Sequence, residues 1–218
     1  MNALPAQVQK EVAEELHWEP SLDPSKVGIS VEKGVVMLSG HVRSLSEKMA
    51  AERAAKRVRG VGAVANELEV ELSPTHVRDD VDIASAAQNA LQWNYYVPAG
   101  RIKVTVSRGW LTLEGEVDAA YELRAAQQAV ANLTGVTCIT NRITVRPMAS
   151  SHDVRRQLNT ALHRYATIEA NSIDVETTGG KVTLKGRVRG WAEKELVEDA
   201  AWAAPGVTQV DNRIVVGP

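Results

Sequence analysis

The chain has 218 residues, of which 44% are hydrophobic and 24% are charged, a balance typical of a folded globular protein rather than a disordered or membrane-embedded one. The formal net charge of -2 excludes a surface that is basic throughout, so binding to nucleic acid or anionic lipid would require a local patch. A single cysteine, Cys138, excludes an internal disulfide framework and a cysteine-rich zinc site.

The first part of the chain predicts five elements in succession. Val8, Val12 and Leu16 recur at helical spacing and indicate an amphipathic helix. Alternating apolar residues on both sides of a glycine turn then predict a β-hairpin. The next segment, SLSEKMAAERAAKRVRG, is rich in helix formers and ends at Gly60, where a residue without a Cβ can close a helix. A final strand follows, so the predicted order is α, β, β, α, β.

The same pattern occurs three times along the chain. A strand pattern of glycine, any residue, apolar, any, leucine, any, glycine, any, valine aligns without gaps at residues 34–42, 109–117 and 180–188. Twenty residues after the second glycine of each block comes a Gly-Val pair, and an asparagine lies six residues further on. The leading helix also recurs, in the third copy with Val154, Leu158 and Leu162. Constant spacings in three copies indicate tandem modules.

We therefore predict an α+β fold of three tandem αββαβ modules, at residues 5–73, 76–147 and 151–218. Each module has one apolar sheet face and two apolar helix stripes, so both helices should cover one face of a three-stranded sheet. The hairpin is antiparallel and the helical crossover favours a parallel third strand, which makes the sheet mixed. Modules of about 70 residues are marginally stable alone, so we expect the modules to share burial, with Trp110, Trp191 and Trp202 packed between them. In the alternative, Trp191 covers the core of its own module.

Glycines and asparagines that recur at fixed distances are interpreted as requirements of the fold. The glycines inside the second strands are expected to allow a bulge or the close approach of a helix; they are Gly40, Gly115 and Gly186. The asparagines of the last strands are expected to be buried amides that satisfy backbone groups; they are Asn66, Asn141 and Asn212.

At these residues the chain resembles the BON domain family, named for bacterial osmotically inducible and nodulation proteins. The pattern G-x-V-x-L-x-G-x-V at residues 180–188 and the later G-V-x-x-V-x-N-x-I at residues 206–214 carry the resemblance, which covers nearly the whole chain. The resemblance implies the αββαβ fold, a non-enzymatic role linked to osmotic or envelope stress, and attachment to phospholipid surfaces. It implies no catalytic residues. The first twenty residues show no export-signal pattern and the single cysteine, Cys138, lies mid-chain, so we expect the chain to depart from the exported and lipid-anchored members of the family.

Motifs of catalysis and metal binding are missing from the sequence. The five histidines never form an i, i+4 pair, and no HExxH, CxxC or GxSxG string occurs. The Gly179-Gly180 pair has the context of a hairpin turn and lacks the pattern of a phosphate-binding loop. We therefore predict that the protein is not an enzyme and uses neither a metal nor a cofactor.

Two features are candidates for a binding surface. The second strand of the third module has Val182, Leu184 and Val188 toward the helices, so a row of cations must project from the open face. This basic row consists of Lys181, Lys185, Arg187 and Arg189. The loop after the first helix of the second module reads WNYYVPAG, and we call it the aromatic loop; its candidate residues are Trp93, Tyr95 and Tyr96. Amphipathic aromatic residues concentrate at interfaces with proteins or lipid headgroups, although these rings could also fill gaps between modules.

The leading functional hypothesis is a non-catalytic binding protein of the osmotic or envelope stress type, peripheral to an anionic phospholipid surface or to a protein partner. The alternative is a structural scaffold or self-association module without a lipid ligand. In it, the basic row meets the acidic row of the second module, Glu114, Glu116 and Asp118, within the chain or in a homo-oligomer.

Nucleic acid is not an expected partner. Because the first twenty residues contain no export signal, we expect a cytoplasmic location, with the periplasm as the alternative.

Overall fold

The computed structural model describes residues 5–146, 173–204 and 206–217. Within them, three three-stranded mixed sheets with their helices confirm the predicted α+β fold of αββαβ modules. The first helix predicted for the third module, with Val154, Leu158 and Leu162, lies outside the described residues.

The first module contains α1 (Pro5–His17), β1 (Val27–Glu32), β2 (Val35–Val42), α2 (Leu45–Arg57) and β3 (Ala63–Val70). Helix α1 buries Val8, Val12 and Leu16, the residues whose spacing predicts it. Strand β2 buries alternate residues, Val36, Leu38 and Val42. The order of the strands in the sheet is β1-β2-β3, so the hairpin strand β2 is central.

The second module contains α3 (Asp80–Trp93), β4 (Ile102–Ser107), β5 (Trp110–Val117), α4 (Ala120–Ala131) and β6 (Cys138–Val145). Strand β5 is central, antiparallel to β4 and parallel to β6, as the sequence predicts. The hairpin turn at Arg108 and Gly109 has φ angles of 52° and 75°, the left-handed pair that a two-residue hairpin loop requires. Helices α3 and α4 contact each other and the same sheet, which leaves the other sheet face open.

The third module contains, in the described residues, β7 (Ile173–Thr178), β8 (Lys181–Val188), α5 (Trp191–Ala203) and β9 (Gln209–Val216). Its central strand β8 is antiparallel to β7 and parallel to β9. Buried residues of all four elements form one apolar core, which includes Val175, Leu184, Val197 and Ile214. The second and third modules therefore repeat one register, with β5 and β8 in equivalent places.

The first turn of the second helix of every module contains a glutamate that the sequence reasoning missed. Its carboxylate accepts a hydrogen bond from a backbone N–H just before the helix, at 2.8 to 2.9 Å. The three residues are Glu47, Glu122 and Glu193. Such a bond satisfies a donor that has no partner inside the helix, so this repeated residue has a structural role.

The repeated asparagines tie the last strand to the second helix. The Asn141 side chain accepts from the backbone N–H of Ile143 at 3.0 Å and donates to Gln127 of α4 at 3.1 Å. In the third module, Asn212 accepts from Ile214 at 3.1 Å and donates to Glu198 at 2.8 Å. The predicted bond to the backbone is thus present in both modules. The amides are half-buried rather than fully buried, and the bond to the helix was not foreseen.

Gly115 lies within β5 and is required there by the close approach of the backbone rather than of a helix. Its φ of 152° lies in a region that residues with a Cβ rarely adopt, and an added Cβ would collide with the carbonyl oxygen of Arg101. The close approach is therefore made by the backbone that leads into β4, and the expected approach of a helix is wrong at this position.

The chain divides into two compact units, one holding the described residues within 1–39, 50–67 and 147–218, the other holding 40–49 and 68–146. The expected burial of Trp110 between modules is wrong, because this side chain is 53% exposed and its indole donates to Thr140 of the next strand. Trp202 packs against the core of its own module. In the first unit, Trp191 makes a contact between modules, as expected, because its indole N–H donates to the backbone carbonyl of Val61.

Candidate functional site

The basic row lies on the open face of the third sheet, as predicted. In β8, Val182, Leu184 and Val188 are buried, and the intervening side chains are half-buried or exposed. Lys181 and Lys185 therefore project away from the core, on the side opposite the helix α5.

Carboxylates of the same sheet neutralise part of the basic row. Lys185 Nζ lies 2.6 Å from Glu176 Oε1 of β7, and Lys181 Nζ lies 3.8 Å from Asp211 Oδ2 of β9. Arg213 donates to Asp211 at 2.8 Å and, with Lys181, holds the pKa of that carboxyl below its usual range. Both lysines of the row therefore have carboxylate partners on neighbouring strands of their own sheet.

The other two members of the row also have interactions within the described part of the chain. Arg187 and Arg189 each make contacts of a polar or electrostatic kind, and the backbone N–H of Arg189 donates to Glu193 at 2.9 Å. The exposed ion pairs of Lys181 and Lys185 contribute about 0–1 kcal/mol each to stability, so these lysines remain able to exchange partners.

The acidic row of the second module is paired in the same way. Glu114 lies 3.3 Å from Arg142 of β6, and Glu116 lies 3.2 Å from Arg146. Arg146 also contacts Asp118 at 3.4 Å, and the hydrogen bond that Arg146 donates to Glu116 is the main cause of the raised pKa of its guanidinium. A scaffold in which the two rows bind each other would have to break these pairs first.

The aromatic loop is exposed in the second module. Trp93 at the end of α3 is 87% exposed, Tyr95 is 94% exposed and Tyr96 is 61% exposed. The rings of Tyr95 and Tyr96 meet edge to face with centroids 5.5 Å apart. Trp93 and Tyr95 are therefore the most exposed rings of the loop.

Local contacts fix the shape of the aromatic loop. The backbone N–H of Tyr96 donates to the Asn94 side chain at 3.0 Å, which closes a tight turn after the helix. Val97, the next residue, is buried and anchors the loop to the module. Because Val97 is buried and the turn is closed by a hydrogen bond, the loop holds its exposed rings in a defined position.

One further aromatic residue was missed by the sequence reasoning. Tyr121, near the start of α4, lies edge to face with Tyr96, with ring centroids 6.2 Å apart, and is itself exposed. The first and third modules have Ser46 and Ala192 at this position, so a comparison of the three repeats could have identified Tyr121 as peculiar to the second module.

Metal-binding and membrane-spanning features were searched for in the described residues. There, no group of three or more His, Cys, Asp and Glu side chains is placed to hold a metal ion. None of the helices in that part of the chain has the length and apolar character needed to cross a membrane.

The chain is an α+β protein made of tandem modules. Each module has a three-stranded sheet, and in the second and third modules ion pairs lie on the open face of that sheet. The chain belongs to the BON domain family, which matches it three times, at residues 6–71, 79–147 and 150–218. Osmotically-inducible protein Y of Escherichia coli (strain K12) is 25% identical over 142 residues, which make up 62% of this chain and 71% of that protein.

Two solved structures are also similar. One is CdsD, a structural protein of the type III secretion system of Chlamydia trachomatis, with 18% identity, a TM-score of 0.27, and coverage of 96% of this chain and 91% of that chain. The other is the PrgH periplasmic domain, with 10% identity, a TM-score of 0.25, and coverage of 88% and 96% respectively. At TM-scores this low, neither similarity supports an argument about function.

Proposed function

We propose that this BON-domain protein is a non-catalytic binding protein of the osmotic or envelope stress type that docks peripherally on an anionic phospholipid surface. The exposed aromatic loop of the second module carries the proposal, because tryptophan and tyrosine rings favour the boundary between water and lipid headgroups. The relative named osmotically-inducible protein Y supports the link to osmotic stress.

The basic row of the third module is the second contact in this proposal. Lysine and arginine near an anionic membrane each contribute about 1 kcal/mol before screening by salt. On binding, Lys181 would leave Asp211 and Lys185 would leave Glu176 to contact lipid phosphates. This exchange costs little free energy because exposed ion pairs are weak. The aromatic loop therefore supplies most of the binding, and the row adds charge selectivity.

Co-sedimentation of the full chain with phosphatidylglycerol vesicles tests the proposal, with phosphatidylcholine vesicles for comparison. The double variant Trp93→Ala with Tyr95→Ala should reduce the bound fraction about tenfold, because it removes two rings worth about 1 kcal/mol or more each at the interface. Trp18→Ala is the matched control, since it removes an exposed ring from the first module. We expect the control to bind as the wild type does.

The charge contribution needs its own variant. Lys185→Glu with Arg187→Glu should weaken binding to phosphatidylglycerol vesicles and leave binding to phosphatidylcholine vesicles unchanged. No sedimentation with anionic vesicles, or equal loss in the aromatic variant and in Trp18→Ala, would show that the surface serves a protein partner or self-association instead. Sedimentation velocity of the free chain then distinguishes a homo-oligomer from a monomer.

The compartment is part of the same proposal. The comparisons give no support to the cytoplasmic expectation, and both the cytoplasm and the periplasm offer an anionic phospholipid surface. Fractionation of cells that express the untagged chain, with a marker protein for each compartment, decides between them.

A further inference from the structure

A groove of about 560 Å³ in the first compact unit collects positive charge from two modules. Its walls are the last turn of α2 with the residues after it, and the first turn of α5. Five of its lining residues are cations, Arg53, Lys56, Arg57, Arg59 and Arg189, and one, Glu195, is acidic. A volume of this size is within the range of small-ligand sites.

The contact between Trp191 and the first module builds this groove. The indole N–H donates to the carbonyl of Val61 at 3.0 Å, and Lys56 Nζ lies 4.8 Å from the centroid of the indole ring. Lys194 Nζ lies 5.2 Å from the same centroid and also donates to the Ile214 carbonyl at 2.7 Å. The tryptophan thus holds the two walls together and has two ammonium groups beside it.

In the described part of the chain, some cations of the groove form ion pairs with carboxylates and others do not. Lys56 pairs with Glu52 at 2.8 Å, and Arg57 pairs with Glu15 at 2.9 Å. Among the residues that the structure describes, no carboxylate pairs with Arg53 or Arg59. A cleft lined mainly by one sign of charge concentrates ions of the opposite sign.

We propose that this groove is a binding site for a phosphate-bearing ligand, with Arg53 and Arg59 as its main contacts. A guanidinium group matches two phosphate oxygens with two parallel N–H donors, so two arginines with no carboxylate partner suit a ligand that carries two or more negative charges. The start of α5 at Gly190 adds backbone N–H groups on the same wall. This site goes beyond the proposed docking on lipid, and of the residues in the aromatic loop and the basic row it shares only Arg189.

The same phosphate chemistry is available from a soluble ligand and from a lipid headgroup, so the test has two arms. The first arm titrates the full chain with inorganic pyrophosphate in calorimetry at low ionic strength. The variant Arg53→Gln with Arg59→Gln should bind pyrophosphate at least about tenfold more weakly, because each lost charge-assisted contact costs about that factor. Both side chains are exposed, so the variant should keep the wild-type circular dichroism.

The variant Lys181→Gln with Lys185→Gln is the control of matched charge. It removes two cations from the basic row and none from the groove, so its affinity for pyrophosphate should stay within about twofold of the wild type. The second arm measures the bound fraction of the Arg53 and Arg59 variant on phosphatidylglycerol vesicles against the wild type, without this control, because Lys181 and Lys185 belong to the proposed lipid contact. A loss of pyrophosphate affinity in the Arg53 and Arg59 variant and not in its control supports the site, and a loss on vesicles as well identifies a lipid headgroup as a source of the phosphate.

Two results overturn the proposal. One is a wild-type chain that binds neither pyrophosphate nor anionic vesicles. The other is an equal loss of pyrophosphate affinity in the groove variant and in its control, which would mean that net charge and not the groove determines binding. Because pyrophosphate has no contact with the aromatic loop, failure of this site leaves the vesicle test of Trp93 and Tyr95 unaffected.

Discussion

The indole of Trp191 in the third module donates a hydrogen bond of 3.0 Å to the backbone carbonyl of Val61 in the first. Trp191→Phe should lower the free energy of unfolding by about 1 kcal/mol, because it keeps most of the ring and leaves that carbonyl without its donor. Trp191→Ala should cost about 2–3 kcal/mol, since the half-buried ring is also lost. Urea unfolding followed by circular dichroism measures both values.

Trp110→Phe is the control for this prediction. Trp110 also donates through its indole, to Thr140 at 2.8 Å, but its side chain is exposed and lies within one sheet. We expect a change within about 0.5 kcal/mol. Equal effects of the two phenylalanine variants would contradict the idea that the bond from Trp191 stabilises a contact between modules.

The carboxylate of Asp80 makes the stability of the second module depend on pH. It accepts from the backbone N–H groups of Arg108 and Gly109 at 2.8 and 2.9 Å, and these bonds, led by that from Gly109, lower the pKa of Asp80. A carboxyl whose pKa is lower in the folded state stabilises that state above its unfolded pKa of about 3.9. The contribution is lost as the pH falls from that value through the folded pKa.

Asp80→Asn should therefore lower the urea midpoint of the second module at pH 7, and the difference from wild type should shrink as the pH falls below about 4. Asp82→Asn is the control, because it removes the same charge from the same first turn of α3. A midpoint difference for Asp80→Asn that stays constant from pH 7 to pH 3 would refute the assignment.

The periodicity of the sequence was sufficient to predict the modules and the direction of the β8 side chains. Apolar residues at alternate positions decide which face of a strand is buried, so Val182 and Leu184 also place Lys181 and Lys185 on the open face. Periodicity does not reveal which side chain of the adjacent strand lies next to each of these lysines. Glu176 lies on β7, and its pairing with Lys185 follows from the register of two strands and the rotamers of two long side chains.

Contacts between modules were harder to predict. The three tryptophans at exposed or helix-edge positions are similar in sequence, but Trp110 stays exposed, Trp202 joins its own core and Trp191 contacts the first module. The cations of the groove were visible as the run RAAKRVR at residues 53–59. Their meeting with the start of α5 depends on the packing of two modules, which no local pattern specifies.

Gly115 offers a test of backbone strain. Gly115→Ala should destabilise the second module by about 3 kcal/mol, because the residue would combine an unfavourable φ with a collision against the Arg101 backbone. Gly100→Ala is the matched control in the same module, since Gly100 has a φ of 73° and open space around it. Its cost should be about 1 kcal/mol. Similar costs for the two variants, measured by urea unfolding, would show that the collision relaxes.

The asparagine that ties the last strand to the second helix can be tested by comparing two modules. Asn212 donates to the carboxylate of Glu198 at 2.8 Å, whereas Asn141 donates to the neutral side chain of Gln127 at 3.1 Å. Replacement by aspartate keeps the oxygen that accepts from the strand and removes the donor. In the third module the new carboxylate would face another carboxylate, but in the second module the glutamine amide can rotate and donate to it.

Asn212→Asp should therefore cost about 2 kcal/mol at pH 7, where two carboxylates repel across a hydrogen-bond distance, and Asn141→Asp should cost less than about 1 kcal/mol. Urea unfolding of both variants and of the wild type at pH 7 checks these expectations. Equal penalties in the two modules would mean that the partner on the helix contributes little and that the bond to the strand is what the asparagine provides.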